Sequence, residues 1–420
     1  MTSPLALLGG TPAVANSGPH FTWPPIDDIT RAKVLAQLDS AVSVPGRSGI
    51  VADLEDALQD YFGARHAITT SSGTAALHAS YWAARIQPGN EVIVPAWTFH
   101  ATASPLFHLG AAPILCETLP AGNIDPARVA ELITPRTRAI MVTHLWGKPA
   151  DMTGLTALAK DCDLDLLEDG SHAHGASHGG QKVGTFGLAG AFSLNGPKPL
   201  SGGEGGFVLT DDDDTYYRIL TFAHYNKRAR KEIPQGHPLA RYAVTGAGLK
   251  LRIHPLAAAL AHDQLTRLDA YLAGREEIAA YLTRELSQVP ALEVTPVPEG
   301  VKSSWYALTA TYQPDQLGGL PTDRFHEALV AEGATEFDLP GSTRPLNQLP
   351  LYQHPSHPSY LFPGYPNTHS RCRPGDFPIA EKAHTHTIKL PVWHREQDLD
   401  LAEQYVSAAR KVSEHHKELL

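Results

Sequence analysis

Three short segments of the chain carry residue types that could share one chemistry. Ser71-Ser72-Gly73-Thr74-Ala75-Ala76-Leu77 follows a short apolar run and opens a helical pattern, so its backbone amides and hydroxyls gather at a positive helix end, a geometry that binds phosphate. Leu166-Leu167-Glu168-Asp169 puts carboxylates where a buried strand ends, the edge of a parallel sheet at which ligands sit. In Phe192-Ser193-Leu194-Asn195-Gly196-Pro197-Lys198-Pro199 a lysine lies in a turn stiffened by two prolines, with the flexible Ser201-Gly202-Gly203-Glu204-Gly205-Gly206 after it. Each segment alone has an ordinary explanation: a capping turn, an acid at a sheet edge, a lysine in solvent. Their order is more specific, with the phosphate turn first, then Asp169, then Lys198 a further 29 positions on. Together they describe a site for pyridoxal phosphate. That cofactor needs a lysine for a Schiff base, an acid to keep the pyridine nitrogen protonated, and a cup for its phosphate.

Such residues need a sheet to hold them, and from about residue 50 to 210 the pattern is that of parallel strands with crossover helices. Val51 to Phe62 reads as an amphipathic helix, His66 to Thr70 as a short strand, Thr74 to Ala84 as a helix, and Glu91 to Pro95 as a buried strand. Further strands are predicted at Ala139 to His144, Asp165 to Asp169, Ala191 to Ser193 and Gly206 to Thr210. A helical pattern from Pro255 to Val289 leads into a second region. There, strands are predicted at Ser304 to Thr311 and Thr335 to Asp338, with helices at Thr322 to Glu332 and after Arg395. The expected fold is α/β: residues 1–265 form an N-terminal segment plus a large domain, and residues 266–420 a smaller C-terminal α+β domain. The stretch 340–391, dense in Pro, His and Tyr, reads as a long loop that forms part of a specificity wall.

Composition excludes several other classes. Of 420 residues 42% are hydrophobic and 19% charged, which is ordinary for a packed globular protein and unlike a disordered one. Asp and Glu number 44 against 34 Lys and Arg, a formal charge of −10 that offers no basic stripe to nucleic acid or anionic membrane. The three cysteines, Cys116, Cys162 and Cys372, are far apart and form neither a disulfide framework nor a CxxC pair. With no secretory signal and no apolar run near the roughly 20 residues of a membrane helix, the chain reads as soluble and cytoplasmic.

Beyond the residues themselves, the chain from roughly Trp23 to the C-terminus resembles the DegT/DnrJ/EryC1/StrS sugar aminotransferases, a branch of the fold type I pyridoxal phosphate enzymes. Four ordered blocks carry the likeness: Ser71 to Leu77, Val94 to Thr102, Glu168 to Ala176, and Phe192 through Gly206. The resemblance implies a mostly parallel sheet flanked by helices. It also implies a reaction in which L-glutamate or L-glutamine gives its amino group to a keto-sugar or keto-cyclitol, as in secondary-metabolite pathways. By the same resemblance Lys198 binds the cofactor and carries the proton, Asp169 pairs with the pyridine nitrogen, and His172 lies near the cofactor's 3-oxygen. Phe99 then stacks on the ring, and Gly73, Thr74 and Ser193 hold the phosphate. One block departs from the family pattern. Where members often read glycine-tyrosine-asparagine-tyrosine-arginine, this chain has Gly248-Leu249-Lys250-Leu251-Arg252. That asparagine reaches the partner's phosphate across a homodimer; Lys250 reads as its cationic substitute there, with contact to the acceptor as the alternative.

Other features have simpler readings. The alternating His172, His174 and His178 lack the further ligands of a metal shell, so no metal site is expected. Asp211 to Asp214 reads as helix-start capping rather than cation binding. Two rival functions remain: a pyridoxal phosphate sugar dehydratase, in which this family replaces the lysine by histidine, and a non-catalytic regulator that binds the cofactor. Lys198 argues against the first, and the absence of a DNA-binding module argues against the second.

Overall fold

The computed structural model describes residues 4–16, 18–353 and 372–420. A seven-stranded sheet runs through the larger part, in the order His66–Thr70, Gly206–Thr210, Ala189–Ser193, Asp165–Asp169, Thr137–Thr143, Glu91–Pro95 and Ala112–Cys116. Gly206–Thr210 alone runs antiparallel to its two neighbours; the other strands are mutually parallel, as expected for helices covering both faces. Because successive side chains on a strand face opposite ways, each strand feeds two cores. Val92, Val94, Met141 and Leu167 pack into one cluster while Ile93, Ile140, Val142 and Leu166 pack into another. The same alternation sends the adjacent Glu168 and Asp169 to opposite sides. Among the described residues no helix is long and apolar enough to cross a membrane.

The helix Gly73–Ala83 lies close on the sheet because the residues it buries there are mostly small: Ala75, Ala76, Ala79, Ser80 and Ala83. Its start is fixed by Ser72, whose Oγ accepts from the Ala75 amide at 3.1 Å, a cap worth about 1 kcal/mol. Behind the preceding strand, Glu55 is fully buried on the helix Gly49–Phe62. It accepts from the Thr69 amide and hydroxyl, at 2.8 and 2.9 Å, and takes both guanidinium nitrogens of Arg228 at 2.8 Å each. Arg228→Met would leave that carboxylate paired only with Arg47 at 3.2 Å. Urea unfolding is expected to register a loss of about 3–5 kcal/mol, the scale for a broken buried pair.

A second hydrophobic cluster contains Ile278, Leu282, Leu308, Phe325, Ile388 and Val406 on residues 268–419, together with Leu5 and Val14. The N-terminal arm, expected with the large domain, therefore packs its apolar residues into the smaller region. Four other expectations change. The helical pattern from Pro255 to Val289 divides into Pro255–Leu265 and Leu268–Leu286. Arg267, between them, is held by the local Asp263 and by Asp27 at 2.7 Å, the latter a tertiary anchor that overrides continuous periodicity. Thr335 to Asp338 is not a strand: Asp338 alone bridges Lys389, while the Glu336 carboxylate accepts from the amides of His20 and Phe21. The stretch 340–391 is not one loop. It contains the strand Thr343–Pro345, paired with Trp97–Phe99, then the helix Pro378–His386 and the strand Thr387–Leu390, while 354–371 lies outside the described residues. The strand expected from Ser304 begins only at Leu308, because Trp305 adopts a left-handed backbone with φ of 52°.

The aspartates 211–214 are absorbed locally. Asp212 caps the helix Asp213–Ala223 by accepting from the Thr215 amide at 2.7 Å; Asp211, Asp213 and Asp214 meet Arg65, His66, Arg85 and Arg218.

Candidate active site

The strand ends converge on a cavity of about 360 Å³. Gly73, Thr74, Phe99, Asp169, His172, Ser193 and Lys198 all line it, though they come from four separate segments of the chain. Lys250 does not. It is exposed and lines a different hollow of about 250 Å³ with His224, Arg252 and His254, beside the Ser71 amide that donates to Leu251 O at 2.7 Å.

The helix Gly73–Ala83 begins at the cavity, and the close approach of Gly73 to Ser193 is visible in what a side chain would meet. A Cβ on Gly73 would lie 2.6 Å from the Ser193 Cβ, so only glycine lets the helix start this near the strand. The Gly73 and Thr74 amides at the helix start have no partners within the helix, the Ala75 amide being taken by Ser72, and with the Ser193 hydroxyl they form a cradle suited to a phosphate dianion. Gly73→Ala should push the two elements apart and weaken cofactor binding by roughly 10- to 100-fold, the worth of one or two hydrogen bonds to a charged group. Titrating the apoprotein with pyridoxal phosphate measures it.

The two carboxylates of Glu168-Asp169 have different tasks. Glu168 is fully buried and accepts from the amides of Gly184, Phe186 and Gly187, at 2.7, 2.7 and 3.2 Å. His144 completes it: its Nδ1 accepts from the Ala150 amide, which leaves the proton on Nε2 to donate to Glu168 at 3.2 Å. Asp169 faces the cavity instead. Its Oδ2 accepts from the Thr102 hydroxyl at 2.7 Å and its Oδ1 from the Ser171 amide at 3.1 Å. Thr102 is itself within 2.7 Å of Thr98 Oγ1, which lies 3.2 Å from Thr143 Oγ1, so a ladder of hydroxyls fixes the carboxylate's direction. Such a carboxylate can hold a protonated ring nitrogen.

Lys198 is only partly exposed. Its amide donates to Asn195 O at 2.9 Å and its carbonyl accepts from the Trp23 indole at 2.7 Å, so the backbone is held from both sides. Burial lowers its amine from 10.5 to about 8, against the opposing pull of Asp169. The Nζ lies 4.8 Å from the centroid of Tyr306, whose ring stacks on His172 at 4.0 Å and 5°. His172 is buried, and desolvation, reinforced by Lys198, holds its imidazole well below the usual range. It is therefore neutral near pH 7. Its Nδ1 accepts from the Trp146 amide at 3.4 Å, which assigns the proton to Nε2.

Residues outside the expected set complete the cavity. Tyr306 comes from the turn after Ser303-Ser304, Thr102 supports Asp169 from below, and Asn195 donates to the lining Glu204 at 2.9 Å. Trp97, Trp146 and His144, at the strand ends, are buried packing residues. The three alternating histidines part company: His172 meets Tyr306, His174 meets Phe192, and His178 meets Phe186. Among the described residues no three His, Cys, Asp or Glu side chains gather as they would round a metal ion.

Comparisons with known proteins agree with this geometry. Residues 26–407 match the DegT/DnrJ/EryC1/StrS aminotransferase family. An L-glutamine:scyllo-inosose aminotransferase of Streptomyces griseus is 32% identical over 429 aligned positions, covering 100% of both chains. In structure the chain resembles an aminotransferase of Helicobacter pylori involved in the biosynthesis of pseudoaminic acid. That likeness has a TM-score of 0.77 and 26% identity and covers 93% of this chain and 98% of that one. A GDP-4-keto-6-deoxy-D-mannose-3-dehydratase of E. coli has a TM-score of 0.78 at 22% identity, covering 94% and 99%, which is a likeness of fold alone.

Proposed function

The chain belongs to the DegT/DnrJ/EryC1/StrS aminotransferase family, and from that premise we propose that it moves the amino group of L-glutamine or L-glutamate to a keto-cyclitol. It is an aminotransferase of the pyridoxal phosphate type, with a small-molecule donor and acceptor. The end-to-end match to a scyllo-inosose enzyme favours a keto-cyclitol over a nucleotide-linked keto-sugar, and glutamine over glutamate, in a secondary-metabolite pathway.

The observation that carries the reading is the meeting of Lys198, Asp169 and an amide-lined helix start in one cavity. When bound, pyridoxal phosphate supplies an electron sink for the carbon that loses or gains a proton. The chain's residues then divide the work. Lys198 would hold the cofactor through its amine, and the same amine would hold or give up the moving proton. Asp169, aimed by Thr102 and Ser171, keeps the ring nitrogen protonated. Gly73, Thr74 and Ser193 would hold the phosphate, Phe99 would lie against the ring, and the neutral His172 would have an Nε2 proton to donate to the 3-oxygen.

We assign Lys250 to the phosphate of a partner subunit in a homodimer. Two observations support this: the side chain is exposed in a hollow whose lining is separate from that of its own cavity, and the helix Asp28–Ser40 leaves Ile29, Leu35 and Leu38 in solvent. The test is a spectrum of the purified protein, repeated with L-glutamine and with L-glutamate, then with keto-cyclitol or nucleotide-linked keto-sugar acceptors. A visible band that donor shifts to the pyridoxamine form, and that a keto-cyclitol restores, supports the proposal. A protein that stays colourless after reconstitution rejects the site, and restoration by nucleotide-linked sugars alone rejects the acceptor class.

A further inference from the structure

The helix Leu268–Leu286 buries a cation the reaction does not use. Arg275 is 2% exposed, and among the described residues no carboxylate pairs with it. Its Nε has no hydrogen-bond partner, and its Nη1 reaches only the carbonyls of Ser304 and Trp305, at 3.4 and 3.3 Å. Desolvating an unpaired guanidinium costs several kcal/mol, and two long hydrogen bonds do not offset that. For packing alone an apolar side chain of the same size would serve the fold better.

What the guanidinium touches leads back to the cavity by two routes. Its Cζ lies 4.1 Å from the centroid of the Trp23 ring, and the Trp23 indole N–H donates to the Lys198 carbonyl at 2.7 Å. On the other side it holds the turn 303–306. The next residue, Glu276, accepts from the Trp305 indole at 2.6 Å, so adjacent side chains of one helix grip Trp305 at its carbonyl and at its ring. Trp305 sits at φ 52°, a conformation costly for a bulky residue and kept only where its surroundings impose it. Tyr306 follows directly, its ring against His172 and 4.8 Å from the Lys198 amine.

We propose that Arg275 is a positioning residue that sets the Lys198 segment, through Trp23, against the turn bearing Tyr306, so that the lysine amine stays over the phenol ring and out of water. The inference rests on Lys198 carrying the cofactor. Loss of the grip should let water reach the amine.

The experiment compares wild type with Arg275→Met, Arg275→Lys and Trp23→Phe. Trp23→Phe keeps an aromatic ring but removes the indole donor. In the apoprotein, labelling of Lys198 by trinitrobenzenesulfonate, followed by mass spectrometry from pH 6.5 to 10.5, gives the titration midpoint of the amine. In the reconstituted enzyme, single-turnover reaction with donor separates rate from KM. The midpoint is expected to rise by about one pH unit in both Arg275→Met and Trp23→Phe, with Arg275→Lys between them and wild type. The donor half-reaction should slow by roughly 10- to 100-fold, as for a small misplacement of the reacting group, while KM stays within about threefold. Folded Arg275→Met with wild-type midpoint and rate would overturn the proposal. If that variant fails to fold, a wild-type midpoint in Trp23→Phe does so. A wild type that forms no visible band overturns the cofactor reading itself and this inference with it, an outcome read before any variant is made.

Discussion

Lys198→Ala is expected to remove the visible band of the reconstituted protein and to lower turnover by on the order of 10⁴-fold, since one side chain serves as both nucleophile and proton carrier. The position is prepared for both tasks. Backbone contacts to Asn195 and Trp23 fix where the side chain starts, and burial brings its amine down to about 8. At pH 7.5 roughly a quarter of such amines are neutral and able to attack, against roughly one part in a thousand for an ordinary lysine. The sign follows from which form reacts. A lowered value means the reactive neutral form is present above about pH 8 and lost below it, so capture of pyridoxal phosphate by the apoprotein should quicken with pH through that value and then level off. Stopped-flow absorbance between pH 6.5 and 9.5 measures the profile. In Lys198→Ala the pH-dependent phase should vanish while non-covalent binding through the phosphate cradle persists, which separates loss of the amine from loss of the fold.

The parts of this site legible in the sequence are those set by local order. A strand that ends at Asp169, a turn that opens a helix at Gly73 and a lysine between prolines are fixed by neighbours within a few residues, and each lies where the patterns place it. Glu168 and Asp169 could not be told apart by type. What sorts them is strand alternation, which turns one towards the Gly184–Gly187 amides and the other towards Thr102. Tyr306 was hidden for a different reason. It lies within the run Ser304 to Thr311, which reads as strand throughout, and only the left-handed Trp305, held by Arg275 and Glu276 from a distant helix, delays the strand to Leu308 and leaves the phenol at the cavity. A distant charge also acts where the helical pattern divides at Arg267, which pairs with Asp27 as well as with the local Asp263 four residues before it. Periodicity reports which face is apolar; it is silent on charges that pin a backbone from elsewhere in the chain.

Asp169→Asn should reduce turnover by roughly 10³-fold, because the substitution keeps shape and removes charge. The amide oxygen can still accept from the Ser171 amide, while the NH2 that replaces Oδ2 donates to the Thr102 hydroxyl, so the fold and the phosphate cradle are expected to persist. What disappears is the anion that holds a proton on the ring nitrogen. A unit-charge pair about 4 Å apart at a partly screened site is worth about 4 kcal/mol, and at 1.36 kcal/mol per decade that is the predicted loss. Thr102→Val provides the graded comparison: it leaves the carboxylate charged but takes away one hydrogen bond to it, worth about 1.5–3 kcal/mol, so a loss of roughly 10- to 100-fold is expected. Measured together, the two separate the carboxylate's charge from its aim. If Asp169→Asn costs no more than Thr102→Val, then Asp169 acts through orientation alone, and the ring nitrogen finds its proton elsewhere in the cavity.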